Sequence, residues 1–261
     1  MNTEKYTVRL EAGLGAQAET RLLLSLWQPG ITGQQLQTLA LQSGLFPNVS
    51  AYRLYNHIRE CFVPRYLCDA GKPILLLKTV IDILNTRDFD QLLFIFSCLA
   101  NPMLTDFISN IYWPAYMAGH DKISTEEARQ FVDQAVAEGK IVGRNWSEDT
   151  RKRQGRYLCG ICADFGLLES TKSSIRKILP FRISDLPAII IIYYFHFNGL
   201  GDNSIVSHPM WKLFGMERED VINELKHLSL RGAFIVQNAA DLVSIGWQYK
   251  DIEGLANAIR S

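Results

Sequence analysis

Three times along this chain a helical segment stops at a glycine and is followed at once by two apolar residues. The instances are Ser43-Gly44-Leu45-Phe46, Phe165-Gly166-Leu167-Leu168 and Arg231-Gly232-Ala233-Phe234. Glycine after a helix lets the backbone turn left-handed, and the apolar pair then re-enters the core. The second and third instances lead into β-prone segments, the order of a winged helix, in which two helices precede a two-stranded wing. The first lies between two helices, where Ala40 and Gly44 have the spacing of the small residue and turn glycine of a helix-turn-helix. The expected fold class is therefore mainly α: a helical bundle with helix-turn-helix and winged-helix modules and small β-hairpin wings. Three regions follow: 1–72, helix-turn-helix-like; 73–183, helical with a basic winged helix; and 184–261, winged-helix-like.

Start and stop signals place the helices. Ala18 to Gln28 is stopped by Pro29-Gly30, and Thr32 caps the next helix. Asn48 to Cys61 reads as a third, with Pro64 disturbing its far end. Pro73 to Asn85, Asp88 to Leu99 and Pro102 to Met117 follow as apolar helices. Ser124 and Glu127 form a capping box that opens a helix to Ala137. Ser147 caps another that runs to Asp164, with Glu148 and Asp149 where the helix dipole favours acids. Helices are also expected over Asp185 to Phe197, Pro209 to Phe214, Arg218 to Leu230 and Ile252 to Ile259. Leu167-Leu168 and Ile178 to Ile183 read as β-prone. Ala233 to Gln237 and Leu242 to Trp247 read as a hairpin around Asn238 to Asp241.

Composition enters through charge. The chain has 27 Lys+Arg and 27 Asp+Glu in 261 residues, which excludes a protein coated in positive charge. The zero sum hides a segregation. Arg144 to Arg182 holds nine basic residues against four acidic ones, an excess of five that the rest of the chain offsets. On the Ser147–Asp164 helix, Leu158, Ile161, Cys162 and Phe165 form the buried stripe, with Gln154 and Arg151 toward the packed side. Lys152, Arg153 and Arg156 then face outward, and Lys172, Arg176 and Lys177 fall on the wing, where basic residues meet phosphate. A second patch lies on the helix after Ser50. There Ala51, Leu54, Tyr55 and Ile58 are expected inside, and Tyr52, Arg53, Asn56 and Arg59 outside. The third module carries Glu219, Asp220, Asn223 and Glu224 on its exposed face, unsuited to phosphate, with Lys226 and His227 nearby. It reads as a packing or protein-contact module.

Catalytic signals are absent. Gly13-Leu14-Gly15 is too short for a dinucleotide fingerprint, and no phosphate loop, His-Glu-x-x-His or nucleophile elbow occurs. Cys159 and Cys162 form a lone Cys-x-x-Cys inside a helix, without the two further ligands zinc needs. No catalytic residue, metal or cofactor is expected. The five cysteines read as free thiols of a reducing compartment, and no secretory leader is read in Met1 to Gly15. The longest apolar run, Leu186 to Phe197, falls short of the roughly 20 residues of a membrane span. The expected location is the cytoplasm.

Three stretches resemble the BrxA family of bacterial BREX phage-defence systems. They are Ala12-Gly-Leu-Gly15 with Glu19-Thr-Arg-Leu-Leu-Leu24; Leu45-Phe-Pro-Asn-Val-Ser50 leading into the Arg53 and Arg59 helix; and Trp146-Ser-x-x-Thr150-x-x-Arg153 continuing to Asp164-Phe-Gly-Leu-Leu168. The resemblance spans roughly residues 8 to 250. It implies a helical protein with winged-helix parts that binds double-stranded DNA, has no known enzymatic activity, and acts beside other defence proteins, including a methyltransferase and an ATPase. The leading expectation is a non-enzymatic DNA-binding component of phage defence, binding mainly through salt-sensitive phosphate contacts. A protein-interaction scaffold and a winged-helix transcriptional regulator remain the alternatives, and homo-oligomerisation stays open.

Overall fold

The computed structural model describes residues 5–143, 145–239 and 242–260. Arg144 of the basic segment, and Asp241 of the expected hairpin turn, lie outside them. Among the described residues the chain is mainly helical, with two small antiparallel strand pairs. It divides into two compact units. Unit 1 comprises Met1–Leu75 and Phe96–Phe181; unit 2 comprises Leu76–Ile95 and Arg182–Ser261.

Unit 1 opens with α1 (Gln17–Leu26) and α2 (Gly33–Gln42). Thr32 caps α2 reciprocally: its hydroxyl accepts from the Gln35 backbone at 3.3 Å, while Gln35 Oε1 accepts from the Thr32 backbone at 2.9 Å. Helix α3 (Ala51–Asn56) starts at a Ser50 cap and runs on through a π turn, His57–Phe62, into α4 (Val63–Tyr66). The helix therefore runs past its expected end at Cys61, and Pro64 disturbs its far end, as expected, by widening one turn. The Val63 N–H bonds the Ile58 carbonyl, five residues back, so the widened turn takes up the ring that would clash in α-register.

The chain passes into unit 2 within α5 (Lys72–Val80) and returns within α6 (Thr86–Leu99). Helix α5 ends earlier than expected, because Asn85 serves α6 instead: its Oδ1 accepts from the Asp88 backbone at 2.9 Å. The Pro64 device recurs at Pro114. Between α7 (Pro102–Phe107) and α8 (Trp113–Met117) lies a π turn, Ile108–Tyr112, and the Trp113 N–H reaches the Ile108 carbonyl.

Strand β1 (Lys122–Ser124) leads directly into α9 (Thr125–Ala137), whose Ser124–Glu127 capping box forms as expected. Helix α10 (Glu148–Asp164) and β2 (Ile175–Lys177) complete unit 1. The strand pairing corrects the expected wing. Leu168 does bridge Ile178, but β2 pairs principally with β1, in the register Lys122↔Lys177, Ile123↔Arg176 and Ser124↔Ile175. Ile123 is fully buried, and this contact holds a strand too short to show alternation in the sequence.

In unit 2, α11 (Asp185–Phe197) is buried on nearly every side from Pro187 to Tyr193, as a core helix must be. It is followed by α12 (Asp202–Val206), a 3-10 turn at Pro209–Phe214, α13 (Arg218–Ser229), the hairpin β3 (Phe234–Ala239) with β4 (Leu242–Trp247), and α14 (Ile252–Arg260). Asp202 and Asn203 cover the outer edge of β4, accepting from the Ile245 and Val243 backbones at 2.8 and 3.1 Å. The expected exposure of Glu224 is wrong. It is buried, and its carboxylate holds Arg182 at 3.0 Å, because Arg182 enters unit 2 just ahead of α11 and supplies the charge partner. No single helix among the described residues is long and apolar enough to cross a membrane.

Candidate nucleic-acid interface

The local sequence explains why α10 presents a basic face. Ser147 begins the helix, its hydroxyl accepting from the Thr150 backbone at 3.2 Å. Gln154, Leu158, Cys159, Ile161 and Cys162 are buried against the rest of unit 1. Gly155 lets α9 come close, since a Cβ there would lie 2.8 Å from the Arg129 backbone nitrogen. Arg151 turns toward α9 and pairs with Asp133 at 3.0 Å, as expected for a residue on the packed side. Phe165 at the helix end is only half-buried.

Lys152, Arg153 and Arg156 remain exposed on the outer face. Lys152 leans on Glu148 at 2.7 Å, an exposed pair that contributes little and exchanges readily. Among the described residues no acid pairs with Arg153 or Arg156. These three cations, with Arg129 and the acids Glu126 and Asp149, line a groove of about 750 Å3 beside the starts of α9 and α10. Four residues of helix advance about 6 Å, so the cations form a short row suited to successive phosphates.

The wing residues divide. Lys172 and Lys177 are exposed, whereas Arg176 is half-buried. In register with buried Ile123, Arg176 turns inward; its Nη1 donates to the Glu169 carbonyl at 3.3 Å and its Nε is enclosed. Its charge favours the thiolate forms of Cys159 and Cys162. Burial outweighs that charge and pushes Cys159 up to about 12, with Cys162 also raised, so both remain protonated. All five cysteines are free. Sequence reasoning missed Lys122, which stands directly across from Lys177. Nothing near Lys122 in the chain signals this, because the pairing joins segments on either side of two helices.

The α3 patch is also only partly as expected. Tyr52, Arg53 and Arg59 are exposed and Asn56 is half-buried, but Ala51 lies outside, because the helix starts at Ser50 and its buried side begins at Leu54. His57 is buried in its place, its Nδ1 at 2.9 Å from the Ala12 carbonyl and its Nε2 at 3.2 Å from the Thr20 hydroxyl. Arg53 pairs with Glu19 at 3.6 Å; Arg59 pairs with Glu60 at 3.2 Å and donates to the Tyr55 hydroxyl. Tyr52, Arg53 and Asn56 line a second groove of about 550 Å3, which α10 enters through Tyr157.

A family model described as BrxA matches residues 4–185. The chain belongs to the BrxA family. The match takes in every candidate contact on α3, α10 and the wing and stops at the first residue of α11. BrxA membership implies a role associated with BREX defence. Among solved structures, an uncharacterized protein from Magnetospirillum magneticum is similar in fold, with a TM-score of 0.57 at 16% identity, covering 80% of this chain and 97% of that one. No curated protein matches.

Proposed function

We propose that this BrxA-family chain is a non-enzymatic, cytoplasmic component of BREX defence that binds double-stranded DNA through unit 1. The observation that carries the reading is the outer face of α10, where Arg153 and Arg156 stand exposed with no acidic partner among the described residues. Side chains of this kind, fixed on a rigid helix, neutralise phosphates and release counterions.

Element order supports a winged-helix reading of the same region. A helix (α7–α8), a strand (β1), two packed helices (α9, α10), the Leu168 bridge, a loop and a returning strand (β2) follow one another, with α10 in the place of the recognition helix. The α1–α2–α3 segment supplies the helix-turn-helix counterpart. The wing contributes exposed Lys172 and the facing Lys122–Lys177 pair. Like charges placed directly opposite on a strand pair repel; Asp121, at 3.5 Å from Lys122, offsets that cost in part, and a bound phosphate would offset more.

A second reading applies to unit 2. Ile235 and Leu242 are exposed on one face of the β3–β4 hairpin, and exposed Glu219 and Asp220 open α13. This surface suits another defence protein, such as the methyltransferase or ATPase, better than phosphate.

The direct test is a mobility-shift titration with random duplex. The natural chain is expected to shift it at low salt, and the Lys152→Ala/Arg153→Ala/Arg156→Ala variant to bind far more weakly while remaining folded. Equal affinity of the two folded proteins overturns the assignment. A sharp preference for one palindromic site would instead favour a transcriptional regulator.

A further inference from the structure

We infer that the second groove of unit 1 receives a single unpaired nucleobase from the bound nucleic acid, a reading that rests on the duplex binding proposed above. The groove encloses about 550 Å3, within the range of roughly 300–1,000 Å3 that small-ligand sites occupy. Its walls come from three places: the turn at Arg9–Gly13, helix α3 and helix α10.

The groove offers the chemistry of base recognition. Tyr52 is 76% exposed, and among the described residues its ring touches no other aromatic group and its hydroxyl no partner. An aromatic face left open in this way is a stacking platform. Tyr157 supplies a second ring, and Glu11 lines the groove with it. Asn56 lines the same space, and its amide has no hydrogen-bond partner among the described residues, leaving a donor and an acceptor for a base edge.

The charge balance favours a base over a phosphate. Arg9 and Arg53 are offset by Glu11 and Glu60, and Arg9 is already held by Glu60 at 2.9 Å. Two carboxylates repel a phosphate, but they accept from the exocyclic amine of cytosine, adenine or guanine. Location favours a base as well. Tyr157 directly follows Arg156 and lies within electrostatic reach of both Arg153 and Arg156. A strand held by those arginines therefore passes the mouth of the groove, and a base already out of the stack enters without the cost of unpairing.

The test compares, by fluorescence anisotropy at low salt, a fully paired random duplex with the same duplex carrying one bulged cytosine. The natural chain is expected to bind the bulged duplex about tenfold more tightly, the effect of a single base–aromatic stack. Tyr52→Ala and Asn56→Ala are each expected to bring the bulged duplex to within about twofold of the paired one, both measured on the same variant. Equal affinities in the natural chain, or a preference that survives both substitutions, overturn the base site and leave duplex binding standing. Failure to bind either duplex overturns the duplex reading itself.

Discussion

Gly155 on α10 packs against the backbone of Arg129 on α9, with space for hydrogen where any side chain would begin. In an isolated helix, alanine in place of glycine stabilises by roughly 0.5–1 kcal/mol. Here the added Cβ meets rigid backbone, and overpacking of this kind costs about 1–3 kcal/mol. Gly155→Ala is therefore expected to lower stability in chemical denaturation. Because Arg153 and Arg156 flank this contact, it should also weaken duplex binding. A variant as stable as the natural chain would show that the two helices are not held at this distance.

The hydroxyl of Ser147 fixes where the basic helix begins. Ser147→Ala removes the cap and is expected to cost about 1 kcal/mol, whereas Ser147→Asp should retain most of the stability. Thermal unfolding of the two variants separates loss of the cap from a general intolerance of substitution.

Much of this was legible in the sequence because capping and helical periodicity are local. Ser124, Ser147 and Thr32 cap the helices they were expected to cap, and Lys152, Arg153 and Arg156 fall on the face that the buried stripe leaves over. Non-local relationships were not legible. The β1–β2 pairing joins residues some fifty positions apart through three-residue strands, and it alone turns Arg176 inward and sets Lys122 beside Lys177. Glu224 read as exposed because its partner, Arg182, lies 42 residues away. The π turns before Pro64 and Pro114 escaped notice because one widened turn leaves no mark in a helical pattern, and the Pro102 to Met117 helix reads straight across Pro114.

Gly13, set aside in the sequence as too little for a nucleotide fingerprint, has a packing role. A Cβ there would lie 2.8 Å from Cζ of the buried Arg65, whose Nη1 donates to Ser97 Oγ at 2.9 Å. Gly13→Ala must displace that guanidinium and is expected to destabilise by about 1–3 kcal/mol in urea unfolding. An unchanged midpoint would mean that Arg65 yields freely.

Acid should weaken the fold through His208. Burial holds its imidazole below the ordinary value, and its Nδ1 accepts from the Met210 backbone at 3.1 Å, which requires the neutral ring. The unfolded chain takes up a proton that the folded chain resists. The contribution of His208 is therefore complete above about pH 6.5 and is lost as the pH falls below that value. His208→Asn keeps a capping acceptor that does not titrate. Its melting temperature should fall less between pH 7.5 and 5.5 than that of the natural chain; an equal fall would place the sensitivity elsewhere.

The central claim is that α10 grips duplex phosphates, and the salt dependence of binding tests it most directly. Log affinity for random duplex, plotted against log salt, should fall linearly for the natural chain. Its slope should be shallower by about two to three in the Lys152→Ala/Arg153→Ala/Arg156→Ala variant, close to one unit per phosphate contact removed. Identical slopes for the two folded proteins would contradict the account.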